Sequence, residues 1–173
     1  MGIPGDRRLN DGDIVGVDVG ICYEGYFGDS AVTVAVGKAS REAQRLIQTT
    51  EKALYKAIEQ AKEGRRLGDI SFAIESCASK AGFSVVKDLY GHGIGKELHE
   101  DPLIPNYGKR GEGVKLESGM VLAIEPMLNI GRYEIETLKD GWTVVTKDRS
   151  LSAHFEHTIL VGSERTEILT KLR

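Results

Sequence analysis

Two stretches of this chain repeat one another. Residues 9–18 read LNDGDIVGVD and residues 116–125 read LESGMVLAIE, with Leu and Gly at the same offsets, an apolar run after them and a carboxylate at the end. The match equates Asp18 with Glu125. A fainter one sets GDSAVTVAVG (28–37) against FEHTILVG (155–162) and equates Asp29 with Glu156. A duplication of this kind restricts the chain to a pseudo-two-fold fold in which each half contributes two acids to a shared centre.

The rest of the pattern is mixed. DIVGVDVGIC (13–22) is a valine-rich run suited to a buried strand, Glu24-Gly25 is a turn, and 28–36 returns as the second strand of a hairpin. Ser40 is placed to cap a helix in which Ala43, Leu46, Ile47, Leu54, Ala57, Ile58 and Ala61 recur at three and four, ending at Gly64. Asp69 opens a second helix, closed by Gly82. A short strand at 83–87, a glycine-rich loop at 91–95 and a polar surface stretch at 101–118 come next. Strands are expected at 121–125, 133–138, 143–146, 155–161 and 167–169, with Asp140-Gly141 as a hairpin turn. No Pro/Ser linker divides the 173 residues, so 1–173 is expected to form one α+β domain.

Composition narrows the function. Forty per cent hydrophobic and 28% charged residues are the balance of a globular chain, and a net charge of −3 disfavours direct nucleic-acid binding through a bulk positive field. No apolar run is long enough to cross a bilayer, and the first residues lack the apolar core of a secretion signal. Cys22 and Cys77 do not form a disulfide framework, which points to reduced thiols and a cytoplasmic location.

The acids are the chemical signal. With the turn at Glu24-Gly25, residue 20 lies opposite residue 29, so Asp18 and Asp29 are diagonal neighbours on one face. Two carboxylates among valines are costly unless a positive group sits between them. From the hairpin alone, the plainer arrangement accounts better for the pair: one Asp in solvent, the other capping the backbone. The second half tips the balance. Glu125 ends an apolar strand before Pro126, Glu156 lies in another, and GHGIGKELHE between the halves carries His92 and His99. One histidine with four carboxylates suits two adjacent divalent first-row cations bridged by shared acids.

DGDIVGVDVG, YFGDSAVTVAVG, YGHGIGKELHEDP, SGMVLAIEPML and KDGWTVVTKDRSLSAHFEHTILV together resemble the bacterial type I methionine aminopeptidases of the pita-bread metallopeptidases. The short interval between His92 and Glu125 separates the chain from the type II branch. The resemblance implies a pita-bread, creatinase/aminopeptidase-like fold, a pseudo-two-fold antiparallel sheet flanked by helices. It implies two divalent ions, Mn, Fe, Co or Zn, held by Asp18, Asp29, His92, Glu125 and Glu156. It assigns Glu125 as general base, His99 to the scissile carbonyl and its tetrahedral intermediate, and Leu98 and Trp142 to the methionine pocket. Leu98 stands where Phe is frequent and His154 where Gln is common; His157 is expected to be structural.

One departure matters more. The family's HGIP, whose histidine contacts substrate, reads MGIP here, with Met1 at the histidine position. Roughly the first third of a typical member is missing upstream, so the expected chain is an N-terminally truncated catalytic domain with weakened activity on N-terminal Met peptides or nascent chains. Such a chain would expose sheet edge and self-associate, without engaging a membrane. Two rival readings are a catalytically impaired metal-binding scaffold of the same fold and a proline-specific aminopeptidase.

Overall fold

In the computed structural model, which describes residues 2 and 4–171, the first hairpin forms with the expected turn, but its first strand is largely exposed and not buried as expected, because it lies at the end of the main sheet. Strands β1 (Ile14–Tyr23) and β2 (Tyr26–Ala35) pair antiparallel, with Gly20 opposite Asp29 and Asp18 opposite Ala31. Glu24 and Gly25 turn the chain with positive φ at both residues, the conformation a two-residue hairpin loop requires.

Helix α1 (Arg41–Ile58) begins where Ser40 accepts a hydrogen bond from the Ala43 N–H at 3.1 Å. It ends at Ile58, six residues short of the expected Gly64. From Gln60 onward the bonds span three residues or fewer: the Gln60 N–H reaches Ala57 O and the Ala61 N–H reaches Ile58 O. A tight turn also buries a residue at the next third position, so Ala61 stays in the core and the helical periodicity runs past the helix end.

Helix α2 (Leu67–Lys80) starts two residues earlier than Asp69 suggested. Asp69 occupies the third position and its carboxylate reaches back to accept from the Arg66 N–H at 3.0 Å. Leu46, Leu54 and Ala57 of α1 and Ile70, Ile74 and Ala78 of α2 meet in the core, each buried aliphatic side chain larger than Ala contributing about 1.5–3 kcal/mol.

After β3 (Ser84–Val85), β4 (Tyr90–Gly93) forms where a glycine loop was expected. It pairs with β5 (Glu100–Pro105), which lies in the stretch expected to wander over the surface. The glycines explain both differences. A Cβ on Gly91 would sit 2.5 Å from Ala123 O, and one on Gly93 would overlap the Asp101 carbonyl, so these residues let three strands close up. Ile104, Asn106 and Leu116 are buried in consequence.

The second half supplies β6 (Val121–Ile124), β7 (Met127–Asn129), β8 (Ile135–Thr137), β9 (Val144–Thr146), β10 (Ser152–His154), β11 (Glu156–Leu160) and β12 (Glu167–Ile168). Strands β7 and β10 were not expected. Among the described residues, the main sheet runs β1-β2-β11-β6-β4-β5, with β12 also on β11. The hairpin β1-β2 and the pair β6-β11 therefore flank the β2-β11 junction as halves related by a pseudo-two-fold rotation, as the repeat requires. A three-stranded sheet, β10-β7-β3, and the β8-β9 hairpin complete the fold.

Candidate metal centre

The register of the main sheet brings the acids together. Asp18 faces Ala31, and Ala31 faces Glu156. His157 pairs with Ile124, so Glu156 faces Glu125 one residue on. A second row, two residues away on each strand and hence on the same face, runs Gly20, Asp29, Thr158, Ala123, His92. The Asp29–Thr158 step is closed by a reciprocal pair: the Asp29 N–H donates to Thr158 Oγ1 at 2.9 Å, and that hydroxyl donates to Asp29 O at 2.8 Å. Between the polar side chains stand Ala31, Ala123 and Gly20, which leave room above the sheet.

Two groups of ligand-capable atoms result. Asp29, His92 and Glu156 offer one atom each within 4.8 Å of one another, and so do Asp18, His154 and Glu156. Glu156 belongs to both. Glu125 spans them, with Oε1 at 3.7 Å from His92 Nε2 and Oε2 at 3.6 Å from His154 Nε2. His92 Nδ1 lies 2.8 Å from Gly93 O; a carbonyl only accepts, so Nδ1 carries the proton and the Nε2 lone pair faces the acids.

Burial rises across the site. The Asp18 side chain is 42% exposed, whereas Glu125 is at 11% and Glu156 at 2%. Burial, and then the neighbouring carboxylates Asp18 and Asp29, push Glu125 up to about 8. The same causes, with Glu125 added, push Glu156 up to about 10. Burial raises Asp18 as well, with Asp29 adding to it, and holds His92 below its ordinary value and His154 at about 4. The imidazoles are thus neutral, as metal ligation requires, whereas Glu125 and Glu156 must give up their protons to ligate, a change that an incoming cation favours.

Two buried atoms here, His154 Nε2 and Glu156 Oε1, have no hydrogen-bond partner. Such groups call for an explanation, and a divalent cation among oxygen and imidazole donors provides one. The donor set fits.

The other expected site residues fall in different places. His99 is exposed at the rim, its ring edge-on to His92 with centroids 4.5 Å apart. Leu98 reaches over Gly20, its Cδ1 3.3 Å from where a Cβ there would stand. Trp142 lies on the β8-β9 hairpin, 67% exposed, and its N–H donates to Asp140. His157 points to the opposite face, where Thr170 and Tyr55 hold its ring. Met1 lies outside the described residues. His154 was not among the expected ligands, although it precedes Glu156 by two, the strand spacing that sets residues on one face; Phe155, the break between β10 and β11, obscures that signal.

Comparison with known proteins agrees with this geometry. The model of metallopeptidase family M24 matches residues 1–163. A methionine aminopeptidase of Clostridium perfringens is 52% identical over 172 residues, which are 99% of this chain and 69% of that protein. The crystal structure of methionine aminopeptidase from Rickettsia prowazekii superposes with a TM-score of 0.96 at 48% identity, over 98% of this chain and 69% of that one. A prolidase from Pyrococcus furiosus is more distant, with a TM-score of 0.78 at 25% identity over 98% of this chain and 44% of that one.

Proposed function

Because this chain belongs to the M24 metallopeptidases, with the methionine aminopeptidases among its close relatives, we propose that it removes the N-terminal methionine from peptides and nascent chains in a metal-dependent hydrolysis. The observation that carries this reading is the pair of cation-ready groups sharing Glu156, with Glu125 spanning both. Asp18, Asp29, His92, Glu125 and Glu156 are the proposed holders of two divalent ions, of the Mn, Fe, Co or Zn class. Ions held there would supply Lewis-acid polarisation of the scissile carbonyl and a more acidic water.

The chain's own groups do the rest. Glu125, nearly buried between two imidazoles, takes a proton from the attacking water and delivers it to the departing amide nitrogen. His99, at the exposed rim beside His92, donates a hydrogen bond to the oxygen on which charge develops. Leu98, over Gly20, forms one apolar side of the methionine subsite, and Trp142 of the β8-β9 hairpin is its proposed second apolar residue. The open Asp18 side of the cluster is the approach for a free α-amino group, which confines the reaction to chain termini.

The free thiols of Cys22 and Cys77 are consistent with a cytoplasmic setting, and no described helix is long and apolar enough to cross a membrane.

The test is hydrolysis of Met-Gly-type peptides by the metal-free chain with manganese, cobalt or iron added back, alongside Asp29→Ala. Turnover that needs added metal and disappears in Asp29→Ala supports the reading. Bound metal without turnover would favour a scaffold, and preference for Xaa-Pro substrates would move the assignment to a proline-specific enzyme.

A further inference from the structure

We propose that His154 is itself a metal ligand, giving the Asp18 side of the centre an imidazole donor to match His92 on the Asp29 side. The inference rests on the reading of the cluster as a pair of cation positions and adds a nitrogen to the five expected ligands.

Three observations carry it. First, His154 Nε2 lies 3.6 Å from Glu125 Oε2 and 3.9 Å from Glu156 Oε2, and Nδ1 lies 3.9 Å from Asp18 Oδ2. These separations are too long for hydrogen bonds. The two Nε2 separations suit donors converging on one ion, since two atoms each bound at about 2.1 Å stand no more than about 4.2 Å apart. Second, the Nε2 atom is buried and has no hydrogen-bond partner, so nothing else explains its direction. Third, the backbone of residue 154 is locked. Its N–H donates to Thr33 Oγ1 at 2.9 Å, and the same hydroxyl donates to His154 O at 2.7 Å. A threonine, Thr158, fixes Asp29 by the same reciprocal device in the other cation group. Each cation group then consists of an aspartate, a histidine and the shared Glu156.

The chemical consequence is selectivity. A glutamine, common at this position in the sequences this chain resembles, offers an amide oxygen; imidazole shifts preference from manganese toward zinc, cobalt and iron.

The experiment uses the full chain with ¹⁵N-labelled histidine, stripped of metal and titrated with Zn²⁺, with stoichiometry followed by calorimetry. Two equivalents are expected, with the ring-nitrogen resonances of both His92 and His154 displaced. His154→Gln, checked for native circular dichroism, should keep one equivalent at unchanged affinity and weaken the other by about 10–100-fold. Its discrimination between Zn²⁺ and Mn²⁺ should narrow. Two equivalents with only the His92 resonance displaced, or unaltered affinities in His154→Gln, would overturn the proposal while leaving the cation centre standing. If the unaltered chain takes up no ion, the centre itself falls and His154 with it.

Discussion

At the scale of single residues, the centre depends on small side chains as much as on charged ones. Gly93 lets β4 approach β5, and a Cβ there would overlap the Asp101 carbonyl, which belongs to backbone and cannot swing away. Gly93→Ala is therefore expected to displace β4 together with the adjacent His92, at a cost of about 1–3 kcal/mol in stability and with weaker metal binding. Denaturant unfolding and metal titration check both. Protonation gives a second expectation. Unfolded glutamates ionise near 4.5, whereas folded Glu125 and Glu156 keep their protons to about 8 and about 10. From pH 4.5 upward the folded state thus binds more protons at these sites, and stability falls as pH rises. The depressed histidines act oppositely, but only below about 6.5. Between pH 6.5 and 8 the Tm of the metal-free chain should fall, and saturating Mn²⁺ should abolish the decline. A flat or rising Tm without metal would contradict the burial of these acids. The placing of Gly20 opposite Asp29 was legible because a two-residue turn fixes register. His154 was not, because its i, i+2 spacing to Glu156 is broken at Phe155 and its other partners are distant in sequence.

At the scale of elements, legibility followed the reach of the forces involved. The N-terminus of α1 could be read because a serine cap is a local device: Ser40 Oγ and the Ala43 N–H are three residues apart. Ser40→Ala should cost about 1 kcal/mol in chemical denaturation without changing metal binding, since the cap lies away from the centre. The end of α1 was misjudged because a tight turn keeps Ala61 buried at helical spacing. Asp69 signals the start of α2 but lies two residues inside it, as the acid that reaches back from the first turn to the Arg66 N–H. Strands β4 and β5 were hidden by glycines and prolines that usually mark loops; the sheet needs glycine there for clearance. Strands β7 and β10, three residues each, carry too few alternations to be seen.

At the scale of the molecule, the duplication predicted by the repeat is present as the order β1-β2-β11-β6, and the pita-bread fold follows from it. Asp18 and Glu125 end the same row, as their equivalence demands. Among the described residues, β1 pairs on one side only, with β2. Val17, Val19 and Ile21 of β1 are 48, 48 and 60% exposed, beside Val32 and Val34 of β2 at 43 and 46%. A ten-residue edge strand of this character invites pairing with further copies. Concentration-dependent self-association is expected by light scattering at micromolar protein, reduced by Val19→Lys; a monomer at every concentration would contradict it.

The central claim is that two rows of one sheet hold four acids and an imidazole around a pair of cations. An anomalous-difference map from crystals soaked in Mn²⁺ tests it most directly. Two peaks flanking Glu156 are expected, one beside Asp29 and His92 and one beside Asp18. Saturating soaks that leave no peak among these side chains, or place the ion elsewhere on the protein, would contradict it.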